Sequence, residues 1–157
     1  MQLSCILNGR QITVPVVADT ILLDFLRSQG CHSVKCGCET TNCGLCTVWI
    51  DEKPVLSCAV PVMRVQGKTV TTLEGVKERA EEFGSFLAGQ GAEQCGYCSP
   101  GFIMNVLAME RELKDPSDEE IKEYLSGNLC RCTGYAGQMR AIKEWLVFKK
   151  DKGRADK

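Results

Sequence analysis

Eleven cysteines give this chain of 157 residues its clearest chemical signal. Near the C-terminal end, Cys130 and Cys132 stand on either side of a single arginine. A disulfide between cysteines this close would close a strained ring, because a relaxed S–S bond needs a specific geometry. The spacing instead favours two thiolates that bind one metal centre.

The first half of the chain carries a set of four cysteines. Cys38, Cys43 and Cys46 have the spacing C-x4-C-x2-C, and Cys58 follows after eleven further residues. The first three match the spacing of plant-type ferredoxins, whose fourth cysteine comes later in the chain. The pattern predicts a [2Fe–2S] cluster held by a loop whose backbone N–H groups point at the sulfur atoms.

The second half carries another set of four. Cys95 and Cys98 form a C-x2-C pair just before a predicted helix, and Cys130 and Cys132 lie just before the last predicted helix. The N-terminus of a helix favours negative charge, so two helix starts that face each other would suit a centre bound by four thiolates. A structural zinc site uses similar ligands and stays open as the alternative for this half.

Three cysteines and the single histidine stay outside both sets. Cys5 alternates with apolar neighbours and is predicted to be an ordinary buried residue, whereas Cys31 has no assigned role. Cys36 lies close to Cys38, but its use as a ligand would change the first spacing from four to six residues, so we predict Cys38. His32 alone cannot provide the two histidines of a Rieske centre.

The composition disfavours several other functions. Charged residues make up 25% of the chain and the formal net charge is −1. The chain therefore lacks the excess of basic residues that is typical of proteins that bind nucleic acids. No stretch approaches the ~20 apolar residues that cross a bilayer, and the N-terminus has no secretion signal. We therefore predict a soluble, cytoplasmic protein, whose thiols would stay reduced unless they bind something.

The segments around the first cysteine set are rich in β-strand residues. Apolar runs on both sides of Asn8-Gly9 predict a hairpin, Thr20 is predicted to cap a helix, and a second hairpin is centred on Asp51-Glu52. Residues 68–75 add another β-rich segment. The stretch 31–46 has no period, which is typical of a loop shaped by its ligands.

Beyond residue 76 the hydrophobic pattern becomes helical in four segments. Pro100 suits a first helical turn, and Ser117 with Glu120 has the spacing of a capping box. The charged end of the chain is predicted to be a frayed, solvated tail. The chain thus divides into residues 1–76, 77–148 and 149–157.

With both cysteine sets placed, the chain resembles the small iron–sulfur subunit of the molybdenum hydroxylase family. This family includes xanthine dehydrogenases and related aldehyde, carbon monoxide, nicotinate and purine hydroxylating enzymes. The motifs that carry the resemblance are, in order, LLDFLRSQG, SVKCGCETTNCGLCTV, LSC, TLEGV, QCGYCSPGFIM and SGNLCRCTGY. They extend over nearly the whole chain, from about Leu3 to Phe148.

The resemblance implies an α+β fold, with an N-terminal ferredoxin-like β-grasp domain and a C-terminal four-helix domain. It also implies that Cys38, Cys43, Cys46 and Cys58 bind an outer [2Fe–2S] cluster, and that Cys95, Cys98, Cys130 and Cys132 bind an inner one. Cys132 would lie nearest to a molybdopterin held by a large partner subunit, and Gln94 resembles a family residue at that interface. A medium partner subunit would hold FAD.

Two positions depart from the family pattern. Thr41 stands where the family loop commonly has glycine, and Leu45 stands where it has a small residue. If that glycine adopts positive φ, a β-branched threonine there would cost about 1–3 kcal/mol of strain. The thiolates are unchanged, so the expected effect is on the shape of the loop and the potential of its cluster.

The expected function is electron transfer in an oxidoreductase complex. The chain has no Ser/His/Asp set and no phosphate-binding loop, and helix capping explains the acidic residues 118–120. Electrons from a partner's molybdenum centre would pass through the inner and then the outer cluster to a flavin subunit or another acceptor. Two alternatives stay open: a free-standing two-cluster ferredoxin and a zinc-bound structural module.

Overall fold

The computed structural model describes residues 1–155, and its first half is a mixed sheet of five strands with one helix. The strands are β1 (Gln2–Leu7), β2 (Arg10–Pro15), β3 (Thr47–Ile50), β4 (Lys53–Leu56) and β5 (Thr69–Thr71). Their order is β2-β1-β5-β3-β4, in which β1 and β5 are parallel and the other neighbours antiparallel. Helix α1 (Leu22–Ser28) packs its buried leucines into the same core as the sheet.

Both predicted hairpins are present. Asn8 and Gly9 have φ of +49° and +79°, and Asp51 and Glu52 have φ of +49° and +67°. Two consecutive residues with positive φ are typical of tight hairpin turns, because this turn follows the twist of the flanking strands. The two turns join β1 to β2 and β3 to β4.

The predicted cap of α1 is wrong. Ile21 takes the N-cap position with an extended backbone, and no side chain caps the helix. The reason is that this segment is held like a strand: Ile21 forms an isolated bridge with Pro61, and the Thr20 carbonyl accepts a hydrogen bond from the Val62 N–H at 2.9 Å. Sheet-like pairing thus replaces the cap that Thr20 was expected to supply.

The second half is the predicted domain of four helices. These are α2 (Lys77–Gly89), α3 (Ser99–Glu112), α4 (Asp118–Tyr124) and α5 (Ala136–Ala155). Pro100 lies in the first turn of α3, where its missing N–H costs nothing. The capping box is present as well: Ser117 Oγ accepts from the Glu120 N–H at 3.3 Å, and Glu120 Oε2 accepts from the Ser117 N–H at 2.8 Å.

Each half has its own apolar core, and Trp49 joins them. Phe83 of α2 and Trp145 of α5 meet edge to face at 5.5 Å between ring centroids, within the helical core. Trp49 comes from β3 but is buried in this helical core, where its Nε1–H donates to the Met104 carbonyl at 3.0 Å. This hydrogen bond connects the sheet to α3.

The prediction of a frayed tail is wrong as far as Ala155, because the charged end of the chain is helical up to that residue. Helix α5 continues to that residue because lysines on its last turns reach acidic partners on the other helices. Lys149 lies 3.8 Å from Glu110, and Lys152 lies 2.9 Å from Glu82. Asp156 and Lys157 lie outside the described residues.

The predicted boundary after residue 76 falls between a 3-10 turn (Leu73–Val76) and α2.

Two candidate metal centres

The hairpin β3–β4 positions half of the outer thiol site, which comprises Cys38, Cys43, Cys46 and Cys58. Thr47 pairs with Leu56, so Cys46 and Cys58 lie just outside the same end of the hairpin. Ser57 holds this end closed, since its N–H and its Oγ both donate to the Cys46 carbonyl, at 3.2 Å and 2.8 Å. The strands thus supply two of the four thiols as a fixed pair.

The loop 38–46 points backbone N–H groups at its first thiol, as the sequence predicted. Hydrogen bonds from the backbone of Asn42 and Thr40, and from the Cys43 side chain, lower the pKa of Cys38 to about 6. Charge-assisted bonds of this kind favour the thiolate, which is the form that binds metals. The loop therefore favours the thiolate form of Cys38.

The remaining outer thiols are crowded against one another. Burial, followed by the hydrogen bond with Cys46 and the charges of Cys38 and Cys43, raises the pKa of Cys58 to about 12. Burial is also the main cause that raises the pKa of Cys43. Four thiolates at such proximity need positive charge between them. Cys36 stays apart from this group: it is exposed, and its thiol donates to the Cys38 carbonyl at 3.4 Å.

Both departures in the outer loop have structural consequences. Thr41 adopts φ of +55°, so the strain expected for a β-branched residue at a glycine position is present. Leu45 is buried and fills the inside of the loop. A Cβ atom added at Gly37 would lie 2.5 Å from Leu45 Cδ2, so the larger side chain depends on a glycine across the loop.

Two helix starts build the inner thiol site, which comprises Cys95, Cys98, Cys130 and Cys132. Cys98 is the N-cap residue of α3, and Cys130 and Cys132 lie in the loop that leads into α5. The Sγ atoms of Cys95 and Cys132 are 3.5 Å apart, although the two residues belong to different loops. The structure thus brings together all four cysteines predicted for this half.

Hydrogen bonds and burial shift the pKa values of the inner thiols in different directions. The backbone N–H of Tyr97 is the main cause that lowers the pKa of Cys95, and the Cys132 side chain adds to it. Burial, and then the neighbouring Cys130, raises the pKa of Cys98 to about 12. Burial opposes ionisation of Cys130 too, but bonds from the side chain and backbone of Thr133 outweigh it and lower the pKa.

Sequence reasoning missed three residues that shape the inner site. Thr133 Oγ1 donates to Cys130 Sγ at 3.2 Å, and the Cys130 N–H donates to the Tyr135 hydroxyl at 3.0 Å. Tyr97, between the cysteines of the C-x2-C pair, reaches away to the outer loop. A hydroxyl residue within a few positions of a thiolate ligand is the signal that would have identified Thr133.

The eight thiols lie in four pairs. Within residues 1–155, no three His, Cys, Asp or Glu side chains are arranged to hold a single metal ion. Side-chain interactions instead join Cys38 to Cys43, Cys46 to Cys58, Cys95 to Cys132 and Cys98 to Cys130. A [2Fe–2S] cluster needs two such pairs, because each iron binds two thiolates beside the bridging sulfides. The residues present therefore fit one cluster per site.

The two sites touch through backbone. The Leu129 N–H, next to Cys130, donates to the carbonyl of Cys43 at 2.9 Å. Glycines permit this approach: a Cβ at Gly44 would lie 2.4 Å from the Gly127 carbonyl oxygen, and one at Gly101 would lie 2.2 Å from the Gly44 carbonyl oxygen. The loops of the two sites are thus in direct contact.

The two sites differ in exposure. Cys43 and Cys46 of the outer site are buried, whereas Cys95 and Cys132 of the inner site are exposed, as is Gln94. Three large side chains around the inner site are about half exposed: Tyr97 at 48%, Leu129 at 48% and Tyr135 at 46%. We refer to these six surface residues (Gln94, Cys95, Tyr97, Leu129, Cys132 and Tyr135) as the inner face.

Cys5, outside both sites, is buried in the core of the first half as predicted. Cys31 is buried in the same core, and His32 is exposed. Within residues 1–155 no helix is both long and apolar enough to span a lipid bilayer.

Comparisons with known proteins agree with this division into two sites. Residues 5–71 match the family model of the 2Fe-2S iron-sulfur cluster binding domain, and residues 72–143 match that of the [2Fe-2S] binding domain. Each matched region contains one of the two thiol sites. The match to [2Fe–2S]-binding domains on both sides sets aside the zinc alternative.

Two curated relatives and one solved structure cover most of the chain. The nicotinate dehydrogenase small FeS subunit of Eubacterium barkeri is 42% identical over 140 residues, 87% of this chain and 89% of that protein. The xanthine dehydrogenase iron-sulfur-binding subunit of Escherichia coli O157:H7 is 40% identical over 140 residues, 85% of this chain and 86% of that protein. A chain of the quinoline 2-oxidoreductase crystal structure from Pseudomonas putida 86 superposes with a TM-score of 0.86 and 34% identity, covering 94% of this chain and 93% of that chain.

Proposed function

This chain belongs to the small iron–sulfur subunits of the molybdenum hydroxylase family, and on that premise we propose that it carries electrons within an oxidoreductase complex. The electrons would come from a molybdenum centre in a large partner subunit and leave to FAD in a medium subunit or to another acceptor. The observation that supports this proposal is the arrangement of eight thiols in two touching sites, each of which fits one [2Fe–2S] cluster.

We assign four thiolate ligands to each cluster. Cys38, Cys43, Cys46 and Cys58 would bind the outer cluster, and Cys95, Cys98, Cys130 and Cys132 the inner one. Bound in these sites, the clusters would supply one-electron redox chemistry. The chain's own contribution is to hold the thiols in pairs, to donate hydrogen bonds to their sulfur atoms and to exclude water from the buried members.

The inner face is the proposed docking surface for the large subunit. Its exposed thiols, Cys95 and Cys132, lie at the surface, where a partner's molybdopterin could approach them. Aromatic and apolar side chains around them suit a protein interface, because such residues are enriched where partners bury surface. Gln94 lies on the same face and is proposed to contact the pterin. This docking surface favours a subunit over a free-standing ferredoxin.

Substrate selection is proposed to lie in the large subunit. The similar proteins are named for nicotinate, xanthine and quinoline, although each shares between 34% and 42% identity with this chain. Similar small subunits therefore occur in proteins that are named for different substrates. The proposed compartment is the cytoplasm, because thiols of this number stay reduced there until they bind iron.

The test is anaerobic purification of the chain with its co-purifying partners. Iron and zinc are counted per chain, and EPR spectra are recorded after reduction with dithionite. We expect about four irons per chain and two distinct S = 1/2 signals, as two [2Fe–2S] clusters require. Zinc without an EPR signal would refute electron transfer. Two signals in a chain that purifies without partners would instead support a free-standing ferredoxin.

A further inference from the structure

Tyr97 joins the inner site to the outer loop. It stands between Cys95 and Cys98, and its hydroxyl donates to the Cys36 carbonyl at 2.9 Å across 61 positions of sequence. Cys36 is two residues before Cys38, the first proposed outer ligand. A side chain from the inner turn therefore holds the segment through which the chain enters the outer site.

A second, separable contact lies on the same ring. The Lys35 ammonium sits 4.7 Å from the centroid of the Tyr97 ring, within the range of a cation–π interaction. Tyr97 is 48% exposed and belongs to neither apolar core, so core packing does not account for its position. What holds the side chain in place is its contact with residues 35 and 36.

Both thiol sites open into one cavity beside this ring. The cavity has a volume of about 390 Å³ and is lined by Tyr97 and by thiols of both sites, including Cys38 and Cys43 of the outer site and all four of the inner site. The backbone bond from Leu129 to Cys43 links the two loops at a second place. The loops are thus held together at two points, one made by backbone and one by the Tyr97 hydroxyl.

We propose that Tyr97 is a positioning residue that fixes the separation of the two cluster sites. This inference rests on the proposed function, because separation matters when electrons pass between the sites. Electron transfer between two centres weakens steeply with distance, so a loop that moves away from the inner site would slow it. Loss of one neutral hydrogen bond shifts a conformational equilibrium by about fivefold, which sets the size of the expected effect.

The first variant is Tyr97→Phe in the purified complex. Phenylalanine keeps the ring and its contact with Lys35, and removes only the hydrogen bond to Cys36. We expect unchanged iron content, a weaker spin–spin interaction between the two reduced clusters, and slower electron exchange between them. Hydrogen exchange of the amides of residues 36–38, which reports the opening of this segment, should rise by about fivefold. Tyr97→Leu, which removes both contacts, should have the larger effect on each quantity.

The matched control is Tyr124→Phe. The Tyr124 hydroxyl also donates one hydrogen bond, to Glu112 at 2.9 Å, and this bond joins no residue of either thiol site. This control should leave spin coupling and exchange at residues 36–38 unchanged. The proposal is overturned if Tyr97→Phe behaves like Tyr124→Phe, or if it loses a cluster outright, which would make Tyr97 a requirement for assembly.

Failure of the proposed function has a different signature. If the wild-type complex showed no pair of EPR signals, electron transfer would be refuted, and the positioning role in it would be refuted as well. Wild-type spectra with two coupled signals, together with unaltered coupling in Tyr97→Phe, would refute the role of Tyr97 alone.

Discussion

The outer and inner thiol sites differ in how the chain assembles them. Three outer cysteines lie within the loop 38–46, and one hairpin brings the fourth to Cys46. The inner site joins two turns that are distant in sequence and meet because α3 and α5 both contribute side chains to the helical core. The outer site is therefore local structure, whereas the inner site is a product of tertiary packing.

The two sites also differ in what surrounds their thiols. Cys43 and Cys46 are covered by their own chain, but Cys95 and Cys132 are left exposed. Backbone N–H groups bind the Cys38 sulfur, while the Thr133 side chain binds that of Cys130. The outer site thus takes more of its cover from its own chain, whereas the inner site, which opens at the surface, is suited to receive electrons there.

The largest effect should come from removing one thiol from either site. Cys38→Ser is expected to abolish the outer EPR signal, and Cys98→Ser the inner one. Each should lower the iron content from about four to about two per chain, because a cluster with three thiolates is held weakly. Iron analysis and EPR of the reduced protein measure both outcomes.

Cys36→Ser is the matched control for the outer site. Its thiol lies only two residues from that of Cys38, but it is not joined to the other outer thiols. We expect this variant to keep both signals. Loss of the outer signal in Cys36→Ser, with retention in Cys38→Ser, would reassign the ligand.

A smaller effect is expected where the two sites touch. Gly101→Ala would place a Cβ atom 2.2 Å from the Gly44 carbonyl oxygen and 3.0 Å from Leu45 Cα. Overpacking of this kind costs about 1–3 kcal/mol, and here it would push the outer loop away from α3. Denaturant unfolding of the iron-loaded protein measures the loss.

Gly84→Ala controls for helix propensity. Gly84 also lies in a helix, but a Cβ there would meet nothing within 4 Å. Alanine should therefore stabilise that helix by up to about 1 kcal/mol. If Gly101→Ala proved equally stabilising, the close approach between the sites would be refuted.

The sequence predicted the local parts of this structure better than the distant ones. The two hairpin turns and the Ser117 capping box each depend on residues a few positions apart, and each was found where it was expected. Cys95 and Cys132 could be grouped only as members of a pattern of four. Their contact depends on helix packing that no short segment encodes.

The errors have the same origin. Thr20 has the side chain of a cap, but pairing of Ile21 with Pro61 decides its backbone. The lysines after residue 148 were interpreted as a solvated end, because their partners, Glu82 and Glu110, are distant in sequence. Tyr97 was missed for the same reason, since its hydroxyl bonds to a carbonyl 61 positions away.

A side-chain donor at the inner site can be removed, whereas backbone donors at the outer site cannot. Thr133→Val keeps the shape of the residue and deletes the bond to Cys130 Sγ, together with the bond that Thr133 Oγ1 accepts from the Tyr135 N–H at 3.2 Å. The bond stabilises the more negative, reduced state, so its loss should lower the reduction potential of the inner cluster. A bond worth about 1 kcal/mol corresponds to a shift on the order of 40 mV. Redox titration followed by EPR should show the outer potential unchanged; an equal shift at both sites would contradict a local effect.

The smallest effect concerns the strained residue of the outer loop. Thr41→Gly removes the Cβ atom that makes φ of +55° unfavourable. The relief of about 1–2 kcal/mol exceeds the entropic cost of glycine, about 0.5–1 kcal/mol, so the variant should be more stable by up to about 1 kcal/mol. The rate of cluster loss during denaturation, followed by visible absorbance, measures this gain at the outer site.

Thr40→Gly separates strain from flexibility. Thr40 is the neighbouring threonine and is not among the residues with positive φ, so glycine there relieves no strain. It brings the entropic cost and removes the hydrogen bond from Thr40 Oγ1 to Asn42 Oδ1, and both should weaken the outer site. Opposite signs for the two variants would show that the loop stores strain at Thr41. If both variants lost the outer cluster faster than the wild type, the threonine would be stabilising its loop through contacts, and the left-handed backbone at Thr41 would carry no measurable cost.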